Sequence, residues 1–421
     1  MYRGLSLDQA PPEDIPLRFF LTAPIFGVLS GLILTFYAHE LVGSRWNLET
    51  IAFTHSLTLG WLTMVMIGAF YQMIPVLVGG SVPFVFLSRY VHAFLTMGTL
   101  CLLFAFFFSQ YISILMILAG VLITVALVLF LVPITISLFQ VKANGRPTVF
   151  AMRFSVIALT GTLLFGLLFA GDLAGLWNYP ISKTIATGIH MVFGLIGWVG
   201  MLIVGVGFYV LTMFYLTPVF GNKLAAYILV LMGVSIVGFP ITVLFEGDLF
   251  LLLISGFPGF IGTILFSSRV YRILAKRKRK AIDATMKFWW FGLAFFPIAL
   301  LIPWLPISTE KIDTLFGQFF LIGFAVSITS GMLYKIVPFI LWFHRFSHKI
   351  GKENVPLLRD ILPNKRSNQQ FICFIVVNIS MFLGIVLETI WIVQLSGILL
   401  SISFMLVFLN IFSSLRIAQK G

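Results

Sequence analysis

His55-Ser-Leu-Thr-Leu-Gly-Trp-Leu-Thr-Met-Val-Met-Ile-Gly-Ala-Phe-Tyr-Gln-Met-Ile-Pro75 runs without a single charged residue. At a rise of about 1.5 Å per residue, a helix of this length crosses the roughly 30 Å hydrocarbon core of a bilayer. The rest of the chain repeats the theme. Of 421 residues, 60% are hydrophobic and 10% charged, against about 25% charged in a soluble domain. Apolar runs fall at roughly 17 to 39, 51 to 78, 85 to 108, 111 to 139, 149 to 171, 185 to 215, 224 to 245, 249 to 268, 288 to 306, 312 to 342, 370 to 387 and 391 to 413. Turn-forming sequences separate them: Gly79-Gly80-Ser81-Val82-Pro83, Ala143-Asn144-Gly145-Arg146-Pro147, Gly171-Asp172, Gly221-Asn222 and Pro303-Trp304-Leu305-Pro306. The expectation is an all-α polytopic membrane protein of about twelve transmembrane helices, residues 1–421 forming one transmembrane domain with no large soluble part.

The net charge of +13 reports topology rather than nucleic-acid binding. If the loops alternate sides, 27 Lys and Arg sort unevenly: Arg45, Lys183 and Lys311 fall on one side, Lys335 lies within a span, and all the others fall on the side of the termini. Under the positive-inside rule this puts both termini, the first 16 residues and the loops 269–287 and 343–369 in the cytoplasm of a bacterium, with the chain in its inner membrane. The run Lys276-Arg277-Lys278-Arg279-Lys280 then needs no partner beyond lipid headgroups. The polar N-terminus, with Pro11, Pro12 and Pro16, has no signal-peptide pattern. Cys101 and Cys373 lie at different depths and are not expected to form a disulfide. The absence of a C-x-x-C-H motif excludes covalent c-type haem.

All fourteen Asp and Glu fall outside the expected hydrocarbon core, which counts against a proton pump or an ion-coupled transporter, because such proteins carry a carboxylate at membrane depth. The intramembrane polar set reduces to His55, His92, His190, Gln72, Gln318, Lys335, Arg89 and hydroxyl-bearing residues such as Tyr71, Tyr209 and Tyr334.

The opening stretch recurs. Gly60-x7-Gly68-x2-Tyr71-x3-Pro75 in the second span matches Gly323-x7-Gly331-x2-Tyr334-x3-Pro338 in the tenth at identical offsets. The sixth keeps Gly197-x7-Gly205-x2-Phe208, with Thr212 where Pro would fall and Gly197-Trp198 repeating Gly60-Trp61. The copies are four helices apart, so the twelve helices read as three four-helix arcs. Small residues at these positions let helices approach closely.

His55 and His190 each lie near the outer end of an equivalent helix, and Gln318 occupies the register of His55. Neutral imidazole held at fixed depth in an apolar shell suits haem iron or copper; the alternative is an imidazole hydrogen-bonded between helices. His39 and Glu40 end the first span on the same side, so His39, Glu40 and His55 could instead form a small metal site. His92 reads as a packing residue, and His344 with His348 as a solvated face. Tyr71 lies about 24 Å along the helix from His55 and about 160° around it, so the two do not share a site. Tyr71, Gln318, Tyr334 and Lys335 could line a polar path, with snorkelling to the interface as the plain alternative for Lys335.

The three arcs, with His55 at the outer end of the second span and Gly68-Ala-Phe-Tyr-Gln-Met-Ile-Pro75 at its inner end, resemble the catalytic subunit of haem-copper oxidases and nitric oxide reductases. In that family the His of the second helix is an axial ligand of low-spin haem, a role that maps onto His55. His55-x4-Gly60-x7-Gly68-x6-Pro75 also resembles NnrS-type haem-containing membrane proteins associated with nitric oxide stress. Ile15-Pro-Leu-Arg-Phe-Phe-Leu-Thr-Ala-Pro24, Gly194-Leu-Ile-Gly-Trp-Val-Gly200 and Gly331-Met-Leu-Tyr-Lys-Ile-Val-Pro338 are similar to stretches of bacterial membrane proteins related to oxidase subunit I, over most of the chain. The copper ligands of the oxidases have no counterpart: the sixth span lacks the His-Pro motif, the seventh has no His, and the tenth offers Gln318 in place of haem ligands. The resemblance therefore implies haem b without a copper binuclear site, in electron transfer or nitric-oxide-related redox chemistry, with lipid and respiratory-chain proteins as partners. A cofactor-free small-molecule or metal transporter or channel and an accessory subunit of a respiratory complex are the competing expectations.

Overall fold

The structure is a computed structural model and describes residues 11–140, 146–178, 181–305 and 308–420. Arg3 and Asp8 in the N-terminal segment, Lys142 and Ala143-Asn144-Gly145 in the second expected break, and Pro306 lie outside the described residues.

Twelve helices are long and apolar enough to cross a membrane, and no strand occurs among the described residues. They are α1 (Asp14–Phe36), α2 (Leu48–Leu77), α3 (Val85–Phe107), α4 (Ser109–Gln140), α5 (Pro147–Leu173), α6 (Lys183–Tyr215), α7 (Asn222–Leu244), α8 (Phe250–Ala275), α9 (Ala284–Trp304), α10 (Lys311–Lys349), α11 (Asn364–Val386) and α12 (Ile390–Gln419). The chain is thus a multi-pass membrane protein. Each expected apolar run has its helix. The clearest differences are at α8 and α10, which continue past the apolar run through charged residues such as Arg269, Arg272 and Arg345. Hydropathy loses sight of a helix once it leaves hydrocarbon, whereas the backbone hydrogen-bond ladder continues. Two starts are capped by carboxylates: Asp248 accepts from Leu251 N at 2.9 Å before α8, and Asp283 from Met286 N at 3.0 Å before α9.

The chain forms two compact units. The terminal unit comprises Pro11–Gln72 and Ala281–Gly421, and the central unit Met73–Lys280. In the terminal unit, α1 and α12 approach so closely that a Cβ at Gly397 would stand 2.7 Å from the carbonyl oxygen of Gly31. Ser401 on α12 donates to Val28 O at 3.0 Å. This is the small-residue packing that membrane helices need where no hydrophobic effect drives them together. In the same unit α2 is tied to α10 by Trp61 Nε1, which donates to Thr329 Oγ1 at 2.9 Å. In the central unit, α7 and α8 meet at Ser235, whose hydroxyl accepts from Gly259 N at 2.7 Å and donates to Gly256 O at 3.2 Å. Along α4, Ile114, Leu118, Val121, Val125, Val128 and Val132 are exposed on one stripe, the face expected to meet lipid.

Candidate functional site

The repeat found in sequence is a repeat of backbone geometry. α2, α6 and α10 are not uniform α-helices: Ser56–Thr63, Val192–Gly200 and Gln318–Val326 are π-helical. Each segment contains the first repeat glycine and ends three residues beyond it, at Thr63, Gly200 and Val326. Each of these helices also packs its two repeat glycines on the preceding helix. A Cβ at Gly60 would overlap Phe26, and one at Gly68 would stand 3.0 Å from Phe19 Cβ. A Cβ at Gly197 would stand 2.6 Å from Ala158 Cβ and one at Gly205 would overlap Ala151; a Cβ at Gly323 would stand 2.6 Å from Phe295 Cδ1, and one at Gly331 2.6 Å from Phe288 Cβ.

The partner positions Phe26 and Phe19, Ala158 and Ala151, and Phe295 and Phe288 are seven residues apart, while the glycines are eight apart. In an α-helix eight residues turn about 80° past a whole number of turns, and seven fall only about 20° short. The widened π turns absorb the extra residue and bring both glycines onto one face. This signal was present in the sequence: an eight-residue spacing of contact glycines does not fit a regular α-helix. Segments of π-helix inside α-helices frequently mark functional sites.

The three candidate heads stand at the N-terminal ends of these segments. His55 immediately precedes the first, His190 lies two residues before the second, and Gln318 begins the third. Each has one polar atom fixed on a backbone carbonyl. His55 Nδ1 bonds Ile51 O at 2.8 Å, one turn back. His190 Nδ1 bonds Thr162 O on α5 at 3.1 Å, and its ring meets Phe169 edge to face at 5.9 Å. Gln318 Nε2 donates to Asn378 O on α11 at 2.8 Å. A carbonyl only accepts, so Nδ1 of each histidine carries the proton and Nε2 of the neutral ring carries the lone pair. Both imidazoles are half-buried. His55 belongs to the terminal unit and His190 to the central unit.

The other expected site residues are placed as follows. His39 is exposed on the short helix Ala38–Gly43. The carbonyl of Glu40 accepts from Asn47 Nδ2 at 2.8 Å and Thr50 Oγ1 at 3.2 Å, which orders the turn between α1 and α2. Among the described residues no group of three or more His, Cys, Asp and Glu is arranged to hold a metal ion. Cys101 and Cys373 are free thiols. Tyr71 is buried against Phe19, with ring centroids 6.1 Å apart.

Tyr334 belongs to a buried network that sequence reading did not anticipate. Its hydroxyl donates to Gln370 Oε1 at 3.3 Å and accepts from Asn410 Nδ2 at 3.1 Å, while Gln370 Nε2 donates to Ser403 Oγ at 2.8 Å. These bonds join α10, α11 and α12. Lys335 is largely buried and paired: its ammonium lies 2.5 Å from Asp283 Oδ2, with side-chain exposures of 12% and 11%. On the same unit Arg345 grips Glu13 at 2.6 and 3.0 Å, fixing the start of α1 to the end of α10.

No protein-family model matches this chain, and no curated protein matches it.

Proposed function

We propose that the chain is a haem-binding membrane protein of oxidase-like architecture without a copper centre, holding b-type haem, with His55 as the first-choice ligand and His190 as the second choice. The observation that carries this reading is the Nδ1 bond of each ring to a main-chain carbonyl. It selects the tautomer with its lone pair on Nε2 and orients the ring, as the outer hydrogen bond of a metal-ligating histidine does. The donor chemistry fits the group: neutral imidazole is a usual ligand of haem iron, and the His190 ring lies against Phe169. Bound haem would supply one-electron transfer or nitric-oxide-related redox chemistry. The protein's own part is to hold the ring nitrogen and keep water away, in a role without proton pumping. The same reading sets the protein in the bacterial cytoplasmic membrane with both termini inside, His55 and His190 toward the outer surface, and respiratory-chain proteins as electron partners.

A visible spectrum of the purified protein, oxidised and then dithionite-reduced, with iron and copper analysis on the same sample, tests the proposal. It requires a sharp reduced haem band near one haem or more per chain and no stoichiometric copper, with the band lost in a His55→Ala protein that still folds. A colourless, metal-free, folded sample overturns it and favours the cofactor-free transporter. Full haem retention in His55→Ala overturns the ligand assignment alone.

A further inference from the structure

In the third repeat the head is an amide, and the geometry points to a different guest there. Gln318 and Asn378 are 1% and 3% exposed. Both amide nitrogens are committed to main-chain carbonyls: Gln318 Nε2 to Asn378 O at 2.8 Å, and Asn378 Nδ2 to Phe374 O at 2.9 Å. Those bonds fix which way each amide points, because a flip would set two oxygens against each other. Two oxygens remain, Gln318 Oε1 and Asn378 Oδ1, and no described group of the protein donates to either. Around them the unit is aromatic: Phe319, next to Gln318, meets Phe382, one turn from Asn378, with centroids 5.9 Å apart.

Another buried polar cluster of the same unit is closed on itself. A few helical turns away, Tyr334, Gln370, Asn410 and Ser403 satisfy one another. Buried polar groups are nearly always hydrogen-bonded, and in a membrane interior an unmet carbonyl has no bulk water to turn to. We propose that Gln318 Oε1 and Asn378 Oδ1 form a binding site for one small electropositive guest, either a water molecule donating to both oxygens or a hard monovalent cation. Oxygen-only donors without a negative charge exclude the softer metals that imidazole suits. The site is separate from the haem proposal: its donors are two neutral amide oxygens of α10 and α11, and it stands whether or not His55 binds iron.

Thermal unfolding of the purified full-length protein in detergent, with Gln318→Met, Asn378→Leu and the double variant, is the test. With a bridging guest, each single substitution lowers Tm and the double variant lowers it no further than the worse single, because the guest is already gone. If instead Asn378→Leu raises Tm and the two effects add, the oxygens were dry and the proposal falls. Should the variants not fold, the infrared spectrum of the wild type labelled with 13C at the Asn side-chain carbonyl decides. The proposal requires every such stretch at a hydrogen-bonded frequency, and one band at the free-carbonyl frequency overturns it. The two guests separate by Tm in sodium, potassium, ammonium and choline chloride at equal ionic strength. A cation-specific shift that is absent from Asn378→Leu identifies a cation, and no shift identifies water.

Discussion

Lys335 Nζ and Asp283 Oδ2 stand 2.5 Å apart across α10 and the start of α9, nearly out of reach of solvent. Asp283 holds two positions together, since its other oxygen caps the helix through Met286 N. Removing one partner of a buried pair leaves an uncompensated charge. Asp283→Asn, which keeps the cap, is expected to destabilise the protein by about 3 kcal/mol. Adding Lys335→Met should recover most of that loss. Detergent unfolding of the two variants checks both statements, and a double variant as unstable as the single one would refute the pairing as the cause.

Gly331 and Gly188 separate packing from helix propensity. A Cβ at Gly331 would stand 2.6 Å from Phe288 Cβ, whereas one at Gly188 meets nothing within 4 Å. Gly331→Ala is therefore expected to cost about 1–3 kcal/mol. Gly188→Ala should gain roughly 0.5–1 kcal/mol from lower backbone entropy in the unfolded chain. Equal effects at the two positions would contradict the close approach of α9 and α10.

Trp61→Phe keeps most of the ring that packs edge to face on Phe404 at 4.7 Å but removes the bond to Thr329. Thr329 still has its main-chain partner Ala325 O at 2.8 Å, so no buried hydroxyl is orphaned. The expected loss is about 1 kcal/mol, read as a Tm shift; a loss comparable to that of Trp61→Ala would assign the indole nitrogen more weight than one hydrogen bond carries.

Glu388, in the turn between α11 and α12, is held below the usual carboxylate range by the Lys311 ammonium 2.5 Å away, which bonds and attracts its charged form. A carboxyl group with a lowered folded pKa adds stability above its unfolded pKa and loses it as pH falls through the folded value. Both side chains are well exposed, so the effect is small and salt-sensitive. The Tm difference between wild type and Lys311→Met should be present at neutral pH, shrink as pH falls below about 4 and shrink also in high salt.

The spans were legible because each is a long apolar run, and lipid leaves little choice of backbone. What escaped reading was the hydrogen-bond register inside α2, α6 and α10, since hydropathy is blind to whether a carbonyl bonds four or five residues ahead. The eight-residue glycine spacing held that information, visible once set against the seven-residue spacing of Phe26 with Phe19. The intramembrane polar residues Tyr334, Lys335 and Gln318 were legible as a set. Their partners Gln370, Asn410, Asp283 and Asn378 lie 36 to 76 residues away in sequence, and no periodicity predicts such pairings. His55 and His190 were picked by residue type and register; the carbonyls that fix their tautomer are a local turn in one case and a neighbouring helix in the other, and only the fold distinguishes these.

The π segments also make these three helices sensitive to length as well as to composition. All three end at the same offset from a glycine that packs on the preceding helix. Removing one residue from any of them would return the turn to α geometry and rotate what precedes it by about 100° around the axis. The two glycines of that helix would then face different neighbours, and the head at the start of the segment would turn away with them.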